Sequence, residues 1–238
     1  VESRTWPWLL TQSARHAGQR GQYPQAVTLL EQALAGCRRV LGDDHPDTLT
    51  TMNNLATTRR SLGDLQGVRE LLEQVLDTSR RLLGPEHPAT LESMNKLAET
   101  RHDLGELDGA RELHEQALAG RRRALGDDHP ATLESMNNLA ETRHDLGDLD
   151  GACELHEQAL AGCRRVLGDD HPDTLISMNN LAMTRYALGD LDGAHKLLEQ
   201  AVASYRQVLG DDHPDTLNSV NNLAAIRREL IRRELGEL

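Results

Sequence analysis

The sequence contains no phenylalanine, and lysine occurs only at Lys96 and Lys196, so 24 of its 26 basic residues are arginine, the bias of a GC-rich genome. Cysteine is scarce as well. Cys37, Cys153 and Cys163 are too few and too irregularly spaced for a disulfide framework. Cys37 and Cys163 occupy equivalent places in a repeat whose other copies carry Ser79, Arg121 and Tyr205, and no ligand set recurs with them. They are expected to be reduced surface thiols. There is no signal peptide and no apolar run near the ~18 residues that a membrane span needs, so a cytoplasmic location is expected. Basic surplus is missing too: acids outnumber bases by 12. That argues against non-specific binding to nucleic acid or to an acidic membrane surface, which needs cationic surface, and favours a basic partner. Val1, not Met, opens the sequence, as expected of a fragment of something larger.

What is present is a period. Leu-Gly-Asp-Asp-His-Pro begins at Leu41, Leu125, Leu167 and Leu209, and a Leu-Gly-Pro-Glu-His-Pro variant begins at Leu83, always 42 residues apart. A fixed spacing of this size marks one supersecondary unit stacked on copies of itself. Within the copy from Leu41 to Leu83, Pro46 suits the first turn of a helix and Asp47 its positive end. Leu49, Met52, Leu55, Ala56 and Leu62 follow at helical spacing, Gly63 stops that helix, and Asp64 caps the next. The second helix carries Leu65, Val68, Leu71, Leu72, Val75, Leu76 and Leu82 before Gly84. Each unit is therefore two antiparallel helices of roughly 16 and 18 residues. No segment alternates as a strand would.

The run Asn137-Asn138-Leu139-Ala140, then Gly147-Asp148, Ala152 and Ala159, resembles the tetratricopeptide repeat, in which Ala140 and Ala152 would let paired helices approach closely. That family's usual period is 34, and Met136, Arg143 and His156 stand where it usually has aromatics. The eight extra residues lie in a longer second helix and the Gly-Asp-Asp-His-Pro loop. This form is similar to the kinesin light chain subgroup, also common in bacterial regulators. The resemblance covers roughly residues 10–230 and implies an all-α, right-handed solenoid that binds protein segments and is not an enzyme.

Three regions are expected: a divergent helix pair over 1–40, four full repeats over 41–214, and over 215–238 a final first helix extended into a cap. The opening pair, a helix over 5–20 and its partner from Pro24 to Val40, carries Trp6 and Trp8. In the last copy Ile231 stands where Gly189 stood, so the helix should run on towards Leu235, with Leu223, Ile226, Leu230 and Leu235 as its apolar stripe.

The Asp169-Asp170-His171-Pro172-Asp173 loop has ligand-type residues, but it recurs five times and helix punctuation explains it, so no metal site is expected. His102 with His144, and His114 with His156, recur without a nucleophile and orienting group, and no phosphate loop appears. No catalytic residue and no cofactor are expected. The arginine in every first helix (Arg59, Arg101, Arg143, Arg185, Arg227) suggests an ion pair with an acidic loop or neighbouring helix.

The copies differ on the first helices, which line the concave surface in the family that the chain resembles. The groove positions carried over are Thr50, Asn54, Thr57 and Arg60, then Glu92, Lys96, Glu99 and His102. Glu134, Asn138, Glu141 and His144 follow, then Ile176, Asn180, Met183 and Tyr186, and last Asn218, Asn222, Ala225 and Arg228. The Asn54, Asn138, Asn180 and Asn222 row suits an extended peptide backbone, because an amide both donates and accepts; Lys96 interrupts it. Glu92, Glu99, Glu134 and Glu141 make an acidic zone, and Ile176, Met183 and Tyr186 an apolar one. The expected partner is a protein or peptide with basic and apolar residues. Two alternatives remain open at this point: a sensor or autoinhibitory array of a larger signalling ATPase or transcriptional regulator, and self-assembly through the terminal helices.

Overall fold

The computed structural model describes residues 5–235, which form eleven α-helices and no strand. A short helix of each pair begins at a proline: α3 (Pro46–Ser61), α5 (Pro88–Asp103), α7 (Pro130–Asp145), α9 (Pro172–Ala187) and α11 (Pro214–Glu234). The long helices are α2 (Tyr23–Leu41), α4 (Leu65–Leu83), α6 (Leu107–Leu125), α8 (Leu149–Leu167) and α10 (Leu191–Leu209), and α1 spans Thr5–Gln19. The chain divides into two compact units, Val1–Ala117 and Leu118–Leu238, with the division inside α6. In the first, α1 to α5 each pack on the next; in the second, α7 to α11 do so, and α7 also touches α9, as α9 touches α11.

The loop residues have separate tasks. Each loop histidine is the N-cap: Nδ1 of His45, His87, His129, His171 and His213 accepts the backbone N–H two residues on, at 3.1–3.2 Å. The first aspartate pairs back to the preceding long helix, as in Arg38–Asp43 at 2.8 Å and Arg164–Asp169 at 3.0 Å. The second reaches forward, Asp44 to Arg81 and Asp128 to Arg165. At the turn within a pair, Asp64, Asp148 and Asp190 accept the N–H of Gly67, Gly151 and Gly193, as the sequence predicts for Asp64.

Between neighbouring long helices an arginine donates to a glutamine 36 residues on: Arg38 to Gln74 and Arg80 to Gln116 in the first unit, Arg122 to Gln158 and Arg164 to Gln200 in the second. The cores are leucine-rich, built for example on Leu55, Leu72 and Leu91 in one unit and on Leu139, Leu175 and Leu198 in the other. Ala140 and Ala152 are fully buried where α7 meets α8.

The cysteines require a correction. Cys37 and Cys163 are buried, not at the surface; their Sγ atoms lie 3.7 Å from the hydroxyls of Thr51 and Ser177, where a long helix meets the next short one. Ser79, Arg121 and Tyr205 at the equivalent place are buried as well. Cys153 is half-buried.

Helix α11 runs 21 residues, against 16 for the other short helices. The extension carries a repeated pentapeptide: Ile226-Arg-Arg-Glu-Leu230 is followed by Ile231-Arg-Arg-Glu-Leu235, whose leucine is the C-cap of the helix. Five residues advance an α-helix by about 140° beyond a full turn. Ile226 is accordingly buried, at 1% exposed, and Ile231 is 54% exposed. Of the expected stripe, Leu223 and Ile226 are buried and Leu230 half-buried, but Leu235 is exposed and caps nothing among the described residues. Trp6 and Trp8 are exposed too, although the Trp6 ring also closes over Gly36.

Candidate binding face

The central arginine of each short helix is structural. Arg59 pairs with Glu31 at 2.7 Å, Arg101 with Glu73 at 3.0 Å, Arg185 with Glu157 at 2.7 Å and Arg227 with Glu199 at 2.8 Å, always one long helix back. Arg59, Arg143 and Arg185 also face the turn aspartates Asp64, Asp148 and Asp190. This is the helix-to-helix and helix-to-turn pairing that the repetition suggests, and it withdraws these cations from ligand binding.

The Asn-Asn pairs of the short helices divide between two tasks. In the second unit the first asparagine links neighbouring short helices: Asn137 Nδ2 donates to Ser177 Oγ at 2.8 Å, and Ser219 Oγ donates to Asn179 Oδ1 at 2.7 Å, whereas Asn53 Nδ2 donates back to Leu49 O at 3.1 Å and Asn221 is exposed. The second, one residue on, is turned about 100° around the helix. Asn54, Asn180 and Asn222 are half-buried, and their amides have no partner among the described residues. Asn138 sits equivalently on α7.

In the first unit, Thr50, Thr57, Arg60, Glu92 and Lys96 are exposed, and Asn54, Glu99 and His102 half-buried. Arg60 is committed across to α5, donating to Thr100 Oγ1 at 3.0 Å and pairing with Asp103 at 3.0 Å. Lys96 pairs with Glu92 along α5 at 3.4 Å. A cleft of about 190 Å³ between α3 and α5 is lined by Asn53, Thr57, Arg60, Lys96 and Glu99, among others.

In the second unit, Glu134 and Glu141 are exposed, and Asn138 and His144 half-buried, on α7. Glu134 is not free: Arg121, a buried cation, holds it at 3.0 Å while also donating to Ala131 O and Ser135 Oγ. His144 Nδ1 lies 3.1 Å from Asp145. Of the three apolar groove residues on α9 only Ile176 is exposed, at 46%; Met183 and Tyr186 are half-buried, and Tyr186 packs against the core. The apolar zone is thus narrower than the residue types imply. A cleft of about 610 Å³ opens between α7 and α9 and brings together Glu134, Asn138, Glu141, Ile176 and Asn180. On α11, Asn222 is half-buried beside exposed Arg228.

Two features escape sequence reasoning. One is the buried Arg121, whose only signal is an arginine in the column that holds Cys37 and Cys163. The other is His156, whose burial drops its imidazole pKa to about 4, with the His144 charge adding to the effect. Among the described residues, no three His, Cys, Asp or Glu side chains are grouped to hold a metal ion, and no helix is long and apolar enough to cross a membrane.

The sequence profile of the tetratricopeptide repeat matches residues 7–77, 68–123, 95–150 and 136–207. The chain belongs to the tetratricopeptide repeat family. Two crystal structures of nearly identical TPR-like repeats, from a candidate kinesin light chain of Podosopora anserina, are similar at 35% and 34% identity. They cover 83% and 88% of this chain and 93% and 99% of theirs, each with a TM-score of 0.76. BtubC (BKLC) from P. vanneervenii shares the fold at 22% identity, over 87% of this chain and 83% of its own, with a TM-score of 0.73. No curated protein sequence matches the chain. The tetratricopeptide fold is generally a protein–protein interaction scaffold, and the kinesin-light-chain-like form accounts for the 42-residue period.

Proposed function

We propose that this chain is a non-catalytic interaction module that holds a protein or peptide segment against its short helices. The observation that carries the reading is the asparagine row. Asn54, Asn180 and Asn222 present unpartnered amides at one repeat position, whereas Asn137 and Asn179, one place earlier in their repeats, are taken up by links between short helices. A segment with basic and apolar residues fits best, its cations facing Glu99 and Glu141 and its apolar side chains facing Ile176, Met183 and Tyr186. Glu92 and Glu134 are weaker attractors, since Lys96 and Arg121 already neutralise them. The test is titration with a peptide library at two salt concentrations. Binding of cationic-apolar peptides that weakens with salt supports the reading. No binding, or binding unchanged by Glu99→Lys with Glu141→Lys, refutes it.

A second reading, self-association, is favoured by α11. Leu217 and Ala224 are exposed there, although their equivalents Leu175 and Ala182 are fully buried under α10. Light scattering across a concentration series separates the two: a mass that rises with concentration supports association, and a constant monomer mass removes it.

A further inference from the structure

The two ends of the cleft between α7 and α9 differ in character. Glu141 stands towards one end, while Ala131 at the start of α7, Leu167 at the end of α8 and Ile176 in the second turn of α9 gather at the other. Over a buried floor of Leu133 and Cys163, the accessible walls at this end are aliphatic: Ala131 and Leu167 are half-buried and Ile176 is exposed. The leucine is the same in the other copies, as Leu83, Leu125 and Leu209, but the other two places vary. In the remaining pairs of successive copies they hold Asp47 and Glu92, Ala89 and Glu134, and Asp173 and Asn218. Two positions on different helices are thus apolar together only here. The nearby carboxylates do not make this end a cation site. Arg121 already holds Glu134 at 3.0 Å. Asp173 is solvated, at 62% side-chain exposure, so a pair with it is screened and weak. One turn beyond Ile176, on the same face of α9, Asn180 presents its unpartnered amide.

We propose that this end of the cleft is a pocket for one aliphatic side chain of the bound segment, which sets the segment's register while Asn180 holds its backbone. The inference rests on the groove reading and narrows it from three apolar residues to one pocket. Met183 and Tyr186 are half-covered and offer less surface. Ile176 and Asn180 are four residues apart, about 6 Å along the helix. An extended segment rises about 3.3 Å per residue and alternates its side chains. The residue whose backbone meets Asn180 and the one whose side chain enters the pocket are therefore about two places apart. An aliphatic side chain gains by leaving water for these walls, whereas a polar one is desolvated there without a partner. In the first unit Asp47 and Glu92 occupy the equivalent places and offer no such wall, so the anchored residue selects the second unit.

The experiment uses the full chain and three nonapeptides in which arginine and serine alternate and the central residue is leucine, asparagine or lysine. The chain has three isoleucines, Ile176, Ile226 and Ile231, so their methyl NMR signals report the pocket, the core and the exposed end of α11 separately. The leucine peptide is expected to shift the Ile176 methyl, to leave that of Ile231 in place, and to bind about tenfold more tightly than the asparagine peptide. Ile176→Asn, which introduces the residue type found at Asn218 in the last copy, should remove that preference. Ile231→Asn, a similar loss of exposed apolar surface outside the groove, should keep it. Equal effects of the two variants would mean general stickiness and would overturn the proposal. A lysine peptide that binds tighter than the leucine one and is weakened by Asp173→Asn would show a cation site and overturn it as well. Leucine and asparagine peptides that bind equally while the Asn180 side-chain signals shift would remove the pocket and leave the groove reading intact. No binding by any of the three would count against both.

Discussion

His156 Nδ1 on α8 lies 3.1 Å from Thr184 Oγ1 on α9, and both residues are buried. The threonine hydroxyl has one proton and gives it to Asn180 O at 3.1 Å. The imidazole must therefore donate from Nδ1, which leaves Nε2 deprotonated and without a partner in the core. Protonating Nε2 would bury a charge with nothing to receive it, which is why burial is the larger cause of a folded-state pKa near 4.

The first prediction concerns pH. Between the unfolded value of 6.5 and the folded value of about 4, the unfolded chain binds the extra proton, so stability rises with pH across this window. The contribution is fully present above pH 6.5 and is lost as pH falls towards 4. Two and a half pKa units correspond to roughly 3 kcal/mol, most of it gone by pH 4.5. Urea titrations at pH 7 and pH 4.5 should show a smaller acid loss for His156→Phe than for the parent chain, by roughly 2–3 kcal/mol. Equal acid losses in the two proteins would show that His156 is not the group responsible.

The second concerns glycine. Gly168 ends α8 at φ 91° and ψ 167°, a conformation essentially confined to glycine. Gly147, at φ 84°, closes the turn after α7, where the next N–H (Asp148) returns to Arg143 O at 2.9 Å. That hydrogen-bond pattern is the left-handed helix cap, which asparagine tolerates. Gly168→Asn should therefore cost about 1–3 kcal/mol and Gly147→Asn distinctly less, measured as melting temperatures of the two variants.

The third concerns the arginine rungs. Arg185 and Glu157 are partly solvated, so their 2.7 Å pair should be worth only about 0.5–1 kcal/mol as a coupling energy. A double-mutant cycle with Arg185→Met and Glu157→Gln measures it, and raised salt should shrink it. A coupling of zero would show that the rung only orients the helices.

The fourth concerns thiol reactivity. Burial raises the Cys163 pKa, and Cys37 is equally enclosed, so both should resist iodoacetamide in the folded chain. Cys153, half-buried on α8, should be alkylated first even though its own pKa is raised by burial and by Glu157. Peptide mass spectrometry over time reads the order, and early labelling of Cys163 would contradict the packing described.

Periodicity made the helix pairs legible, because Pro46, His45, Gly63 and Asp64 act through neighbours a few residues away in the chain. The cysteine position was not legible. A column holding Cys37, Ser79, Arg121, Cys163 and Tyr205 has no common polarity, and only the meeting of two helices shows that every member is enclosed. The acidic zone shows the same limit. That Lys96 offsets Glu92 follows from their spacing along one helix. That Arg121 offsets Glu134 depends on a long helix folding back beside the next short one. Met183 and Tyr186 stand in columns that hold polar residues in most other copies, which implies an open surface, yet tertiary packing half-covers them.

The identical pentapeptides at the end of α11 put a scale on how this chain can change length. One copy sends its isoleucine into the core and the other sends it into solvent, because 1.4 turns of helix is no symmetry of the fold. Forty-two residues form a complete helix pair, and a residue moved by that distance comes back to the same place in a helix pair and to the same caps. Length in this architecture is therefore quantised. Insertions of one whole unit extend it without disturbance, and shorter ones inside a helix are confined to places where nothing is packed against the rotated side chains.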